Sequence, residues 1–366
     1  MQVRQHFAIH AGLWAVCLAA APWVYGAQDK IVLKRARSQE TIKGEIREET
    51  LERFKMVEPG GTPMPDFAGN QIADIQWDIQ DFEYMRAMAE YEKGNFAAAA
   101  TSFKVCFDNV NIRKAASAYL GYMSGDSYRR ASKPKEAEAI LDKVIEEYPK
   151  SWYAPRAIDC LIDVCVTSGN IQKVRALVTE IRKLGGKYPA KAILYEGRML
   201  LLTKNYDEAM AKFNEAVRGS SDAEIQGQAR MLIAQCQVFK KDYAGAKQTA
   251  EQVLTTEAPD SVFAAAHLVI GNALHQQAME KKGEEAQELF LDAVLEYLRV
   301  WTLYPGDERQ EGEALYKAGE SFMYLGRLPG RSRDRRRSAE MFAQVRSKFP
   351  GSYWAKQAEK AMAGGK

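Results

Sequence analysis

The sequence predicts a mainly α chain: a right-handed α-solenoid of about seven helix pairs, preceded by a small β-rich segment. Three observations predict it. A fixed spacing of small, aromatic and alanine residues returns along residues 80–352, prolines close several of its copies, and residues 27–79 hold short alternating runs of a different character. A chain of 366 residues, 46% hydrophobic and 27% charged, suits one elongated array with a small extra domain.

The spacing is plainest from Gly125 through Tyr128, Ala137, Leu141 and Val144 to Pro149. It returns from Gly197 through Leu200, Ala209, Phe213 and Ala216, and from Ala234 through Ala246, Ala250 and Val253. An earlier copy has Ala87, Gly94, Phe96, Ala99, Phe103 and Cys106, and a weak one has Ile162, Cys165, Gly169, Val174, Val178 and Ile181. Two later copies keep both ends and stretch the middle. One runs from Gly271 and Leu274 to Ala293, Tyr297, Val300 and Pro305; the other runs from Gly319 and Phe322 to Ser338, Phe342, Val345 and Pro350.

Units therefore begin near 80, 118, 155, 190, 227, 264 and 312. Each reads as two antiparallel helices, with small residues where the helices cross closely and larger side chains filling the space beside them. Lys93-Gly94-Asn95, Lys204-Asn205 and Lys241-Asp242 supply the turns within pairs, and Pro149, Pro305 and Pro350 stop the second helix. No unit buries its apolar face alone, so stacking makes the core. Residues 353–366 read as a capping helix and tail. The extra residues near 278–287 are expected to lengthen two helices into a protruding hairpin, and those around 331–337 to form a basic loop.

This period and residue pattern resemble the tetratricopeptide repeat. Tyr148-Pro149-Lys150-Ser151-Trp152-Tyr153-Ala154 and Phe349-Pro350-Gly351-Ser352-Tyr353-Trp354-Ala355 are similar to the junctions of bacterial envelope members, such as the Tol–Pal coordinator and the outer-membrane assembly lipoprotein. The resemblance implies a scaffold that takes a peptide or helix segment of a partner protein in the concave groove lined by the first helix of each unit. Helical spacing then nominates Tyr119, Tyr122, Asp126, Arg129 and Arg130 in the second unit, Asn272, His275 and Gln276 in the sixth, and Glu313, Tyr316, Glu320 and Tyr324 in the last. Tyr and Arg are residue types that anchor interfaces. A second reading has Tyr119, Tyr122 and Tyr316 merely covering neighbouring repeats.

The N-terminus carries its own signals. Arg4, the apolar run Ala11–Ala21 and Val24-Tyr25-Gly26 read as a secretory signal peptide over residues 1–26, giving an exported, periplasmic or outer-envelope protein. The run is too short to span a bilayer, and Val16 before Cys17 disfavours lipoprotein processing. Without residues 1–26 the chain has 50 basic and 48 acidic residues, a balance that implies no general attraction to nucleic acid. Residues 27–79 hold strand-like runs at Lys30–Lys34, Thr41–Ile46, Arg53–Met56 and Ile72–Trp77, and resemble a small SH3-like barrel.

Nothing in the sequence nominates a catalytic set, a cofactor or a small-molecule substrate. Neither G-x-G-x-x-G nor G-x-x-x-x-G-K-[ST] occurs, and His267 and His275 lack a third ligand at the intervening turn, so no metal is implied. Cys106, Cys160, Cys165 and Cys236 read as buried thiols. Arg331, Arg333, Arg335, Arg336 and Arg337 form the densest charge run, read either as a solvated connection or as an anion site for carboxylates, phosphates or lipid head groups. A structural subunit of an envelope complex, using convex or hairpin surfaces, is the alternative to groove binding.

Overall fold

The computed structural model describes residues 27–34 and 39–364; the leader expected at residues 1–26 lies outside them. The chain divides into two compact units, one ending at Asp78 and one made of Glu49–Leu51 with the residues from Ile79 onward.

The first unit is a five-stranded antiparallel sheet. Its strands are β1 (Asp29–Lys34), β2 (Gln39–Glu49), β3 (Arg53–Val57), β4 (Phe67–Ala68) and β5 (Ile72–Gln76), in the order β4-β3-β2-β1-β5. Alternation puts Ile31, Leu33, Ile46, Phe54 and Met56 inside, and a register shift between Val32 and Leu33 brings Ile72 and Ile75, three apart on β5, to join them. Buried Asp29 accepts hydrogen bonds from the backbone N–H groups of Ile46 and Asp78, both at 2.8 Å. Gly44 sits mid-strand because a Cβ there would lie 2.7 Å from the Val57 carbonyl oxygen.

The second unit is the array. Its pairs are α1 (Phe82–Glu92) with α2 (Phe96–Asp108), α3 (Ser117–Arg130) with α4 (Pro134–Glu147), α5 (Ala154–Ser168) with α6 (Ile171–Lys183), and α7 (Tyr188–Leu202) with α8 (Tyr206–Gly219). There follow α9 (Ala223–Phe239) with α10 (Tyr243–Leu254), α11 (Asp260–Met279) with α12 (Gly283–Leu303), α13 (Glu308–Leu325) with α14 (Arg333–Lys348), and a final α15 (Tyr353–Gly364). Among the described residues this makes seven helix pairs plus one helix.

The repeated spacing has a direct steric cause. A Cβ at Gly125 would lie 2.5 Å from Leu141 Cδ2, at Gly197 2.7 Å from Phe213 Cδ1, at Gly271 2.6 Å from Tyr297 Cε1, and at Gly319 2.8 Å from Phe342 Cε1. Each glycine on a first helix is thus the socket for the large side chain of its paired second helix. Ala137, Ala209, Ala293 and Ser338, four residues earlier on the second helix, are buried one turn below.

The turns within pairs are equally regular. Gly94, Ser132, Gly169, Lys204 and Lys241 all adopt left-handed backbone conformations, with φ between 58° and 76°. Each is followed by the N-cap residue of the second helix: Asn95, Lys133, Asn170, Asn205 or Asp242. Pro149, Pro305 and Pro350 end their helices through the preceding residue: Tyr148, Tyr304 and Phe349 leave the helical region with φ between −129° and −125°.

Two expectations change. The hairpin of α11 and α12 is lengthened, to 20 and 21 residues, but it does not protrude freely. Ala278, Ala286, Phe290 and Val294 pack with Phe322 and Leu325 of α13, which covers the added apolar surface. The arginine run is no loop: Arg333–Arg337 form the start of α14, and only Arg331 and Ser332 precede it. Asp334, in the first turn, favours the helix because it sits at the positive end of the helix dipole.

Candidate partner-binding groove

Four residues after a buried contact, a helix presents a side chain on the same face. On α3, Asp126 is followed by Arg129 and Arg130, so both guanidinium groups fold back onto one carboxylate. Arg129 Nε and Nη2 donate to Asp126 Oδ1 at 3.0 and 2.6 Å, and Arg130 Nε donates to Oδ2 at 2.8 Å. Asp126 is 5% exposed. Burial alone would raise its carboxyl, but the two arginines outweigh burial and hold it below the usual carboxylate range. The Cys160 thiol on α5 lies 3.8 Å from Asp126 Oδ1; burial first, then that negative charge, push its pKa upward.

The next helices continue the row. Arg198 on α7 donates to Asp163 Oδ1 on α5 at 3.0 Å. Asp159, one turn earlier, takes Lys191 and the Tyr195 hydroxyl, the latter at 2.7 Å. Arg309 on α13 lies 3.7 Å from Asp163 Oδ2, and Arg130 Nη1 donates to Glu308 Oε2 on α13 at 3.0 Å. Residues 178 positions apart therefore meet, and the first helices of the second, third, fourth and last pairs share one charged inner surface. Its members are accessible: side-chain exposure is 29% for Arg129 and Arg130, 28% for Asp163 and 26% for Arg198. Such a surface can bind polar or charged groups of a segment laid along it. Among the described residues no group of three His, Cys, Asp or Glu side chains is placed to hold a metal ion.

The aromatic side chains expected to anchor a partner mostly join repeats. The Tyr119 ring packs against Tyr84 and Tyr153, and its hydroxyl lies 3.2 Å from that of Tyr84. Tyr122 packs on Tyr153, Tyr316 on Phe342 and Trp354, and Tyr324 stacks on Phe290 with ring centroids 5.6 Å apart. His275 is no groove residue. It is 4% exposed, its Nδ1 lies 2.8 Å from Ser321 Oγ, and burial depresses its pKa to about 4. Ser321 and Tyr324 of α13 and Phe290 of α12 lie against it, which is why a position facing outward by spacing is covered. Asn272 accepts from the Tyr297 hydroxyl at 2.8 Å, while Gln276 is exposed. His267 also differs from a ligand: its Nδ1 lies 2.7 Å from Glu296 Oε2 and its ring stacks on Tyr304.

The arginine cluster is largely engaged within the chain. Buried Asp334 takes Arg331 at 2.6 Å and Arg337 at 2.8 Å, and Arg335 Nε donates to the Gly326 carbonyl at 2.9 Å. Arg336, 82% exposed, pairs with Glu340 at 3.2 Å. Among the described residues the four cysteines, Cys106, Cys160, Cys165 and Cys236, are buried and unbridged, as the sequence predicts.

The sequence reading missed Asp163, Arg198, Glu308 and Arg309. Asp163 and Arg198 follow Ile162 and Gly197 as Asp126 follows Gly125, so the same spacing rule extended to the third and fourth units finds them. Glu308 and Arg309 open α13 outside that register, and nothing in the spacing marks them.

The family model described as tetratricopeptide repeat matches residues 119–151 and 313–352. No curated protein matches the chain. Among solved structures, a tetratricopeptide repeat protein from Parabacteroides merdae is 12% identical, with 72% of this chain and 91% of that one covered and a TM-score of 0.43. PilW, a type IV pilus biogenesis factor, is 15% identical over 66% of this chain and 97% of its own, with a TM-score of 0.37. The Rap conjugation gene regulator of plasmid pLS20, solved with the Phr* peptide, is 15% identical over 74% and 75%, with a TM-score of 0.44. The stretches matched by the tetratricopeptide repeat model fall on the α3–α4 and α13–α14 pairs, which are thus similar to that repeat.

Proposed function

We propose that this chain is an exported, non-catalytic scaffold of the bacterial envelope that holds a segment of a partner protein along the inner surface of its solenoid. One observation carries the reading: the inner face of α3, α5 and α7 presents a row of paired charges, buried Asp126 with the partly exposed Arg129, Arg130, Asp163 and Arg198. Charges already fixed by one another lose little freedom when a partner's polar groups join them. The leader-like N-terminus supports export, and the Pro-Gly-Ser and Pro-Lys-Ser junctions support an envelope setting.

A structural role through the outer surface is favoured by one feature. Leu295 and Leu303 on α12 are 56% and 59% exposed, and Leu295 borders a cleft of about 230 Å³ lined also by His267, Ile270, Asp292 and Arg299. On α14, exposed Arg333 and Arg336, the latter shared with Glu340, are the arginines to meet an anionic surface as a secondary contact.

Crosslinking in intact cells followed by mass spectrometry separates the two. Arg129→Gln with Arg198→Gln should remove partners that the unaltered chain captures, whereas Leu295→Ser with Leu303→Ser should not, provided circular dichroism shows both variants folded. Partners lost only from the leucine variant would sink the groove reading and establish the structural one.

A further inference from the structure

The ion pairs that reach across the inner surface have no counterpart in a simple stack, where each unit touches only its neighbours. Glu308 and Arg309 are the first two residues of α13, and the turn that presents them is tightly built. Asp307 accepts from the backbone N–H groups of Arg309 and Gln310 at 3.0 Å, Glu311 accepts from Gly306 N–H at 2.7 Å, and Gln310 Nε2 donates to the Ser261 carbonyl at 2.8 Å. The receiving side is equally fixed. Arg130 is held by Asp126 and lies over the rings of Tyr91 and Phe96, 5.2 Å from each centroid, while Asp163 is held by Arg198. A separate approach links the array's ends: a Cβ at Gly94, in the first turn, would lie 4.0 Å from Pro350 Cδ.

The geometry points to a clasp: Glu308 and Arg309 close the last pair onto the second and third by occupying Arg130 and Asp163, and a partner segment gains those two groups by displacing them. This rests on the groove reading above. The charges are ordered for a two-point match, an acidic residue on Arg130 and a basic one on Asp163, so a single rigid turn engages both. The clasp is built to open. Glu308 and Arg309 have side chains 43% and 66% exposed, and an ion pair of such exposure biases an equilibrium by only about 5-fold at most. Two pairs then favour the closed form by roughly 2- to 30-fold, small enough for a bound segment to reverse.

Two readouts on the full mature chain keep the clasp and the groove reading apart. Spin labels on Lys93→Cys and Ser347→Cys, exposed positions near the Gly94–Pro350 approach, report the end-to-end distance, since the native thiols are buried. The unaltered chain should give one short distance. Glu308→Arg with Arg309→Glu sets like charges against Arg130 and Asp163 and should add a longer component; Glu308→Asp should keep the short one. Crosslinked partner in cells should rise with the charge-reversed chain. A distance distribution unmoved by charge reversal in a folded chain overturns the clasp. A lengthened distance with no partner captured by any version upholds the clasp and overturns the groove reading.

Discussion

Asp126 is the most consequential single atom group of the inner surface, and its removal is the sharpest test of how that surface is held. Asp126→Ala strips three charge-assisted hydrogen bonds and leaves two guanidinium groups behind. Breaking a buried ion pair costs about 3–5 kcal/mol, but Arg129 and Arg130 are 29% exposed and can turn to water, so the expected loss is about 2–3 kcal/mol. Arg129→Ala with Arg130→Ala leaves the carboxylate stranded at 5% exposure and should cost more, about 3–5 kcal/mol. The triple variant should cost less than the sum of the two, because no buried charge is left unpaired. A solenoid need not unfold in one step, so hydrogen exchange of the α3 and α5 amides by mass spectrometry is the suitable assay. Because the folded carboxyl lies below its usual range, its stabilising contribution is present above about pH 4 and is lost as pH falls further. Protection in Asp126→Ala within about 0.5 kcal/mol of the unaltered chain, or strict additivity in the triple variant, would refute this account.

Other perturbations have equally definite outcomes. Burial raises Glu49, which accepts from Ser151 Oγ and Trp152 N–H, to about 7, so its contribution is full below about pH 4.5 and lost as pH rises through 7. Burial lowers His275 to about 4, so its contribution is full above about pH 6.5 and lost as pH falls through 4. The two slopes oppose each other, each worth roughly 3 kcal/mol across its window; Glu49→Gln should unmask acid sensitivity and His275→Gln the reverse, in melts followed from pH 4 to 8. Gly271→Ala drives a methyl into the fully buried Tyr297 ring and should destabilise by about 1–3 kcal/mol in urea titrations; no loss would mean that the socket can relax. Lys204→Gly and Lys241→Gly relieve left-handed backbone and should each stabilise by up to about 1 kcal/mol, whereas Gly169→Ala should destabilise. Alkylation without reductant should label Cys106, Cys160, Cys165 and Cys236 only after unfolding; a disulfide found there would contradict the buried thiols.

Much of the fold was legible because packing repeats a rule. The Gly125–Leu141, Gly197–Phe213, Gly271–Tyr297 and Gly319–Phe342 sockets need a small residue opposite a large one, and sequence records that need whatever the intervening length. Left-handed turns at Ser132, Lys204 and Lys241 were less visible, since only glycine advertises such a backbone. The start of α14 was misread because five arginines look like a solvated loop, while the buried Asp334 that organises Arg331 and Arg337 sits among them unmarked. Most hidden were the contacts of Arg130 with Glu308 and of Asp163 with Arg309. Helical spacing predicts what faces a groove, and says nothing of what lies across it.

The pairing of residues 130 and 308 also bears on how the chain folds. Most contacts of a helix-pair array join neighbours in sequence, so its contact order is low and its assembly rapid. A bond spanning 178 residues would be entropically remote in an unfolded chain, yet once the intervening pairs have stacked the two ends are already brought together by a stiff connection. It should form after the nucleus, with a φ-value near zero: Glu308→Gln should leave the folding rate unchanged and appear, if anywhere, in the rate at which the last pair comes undone.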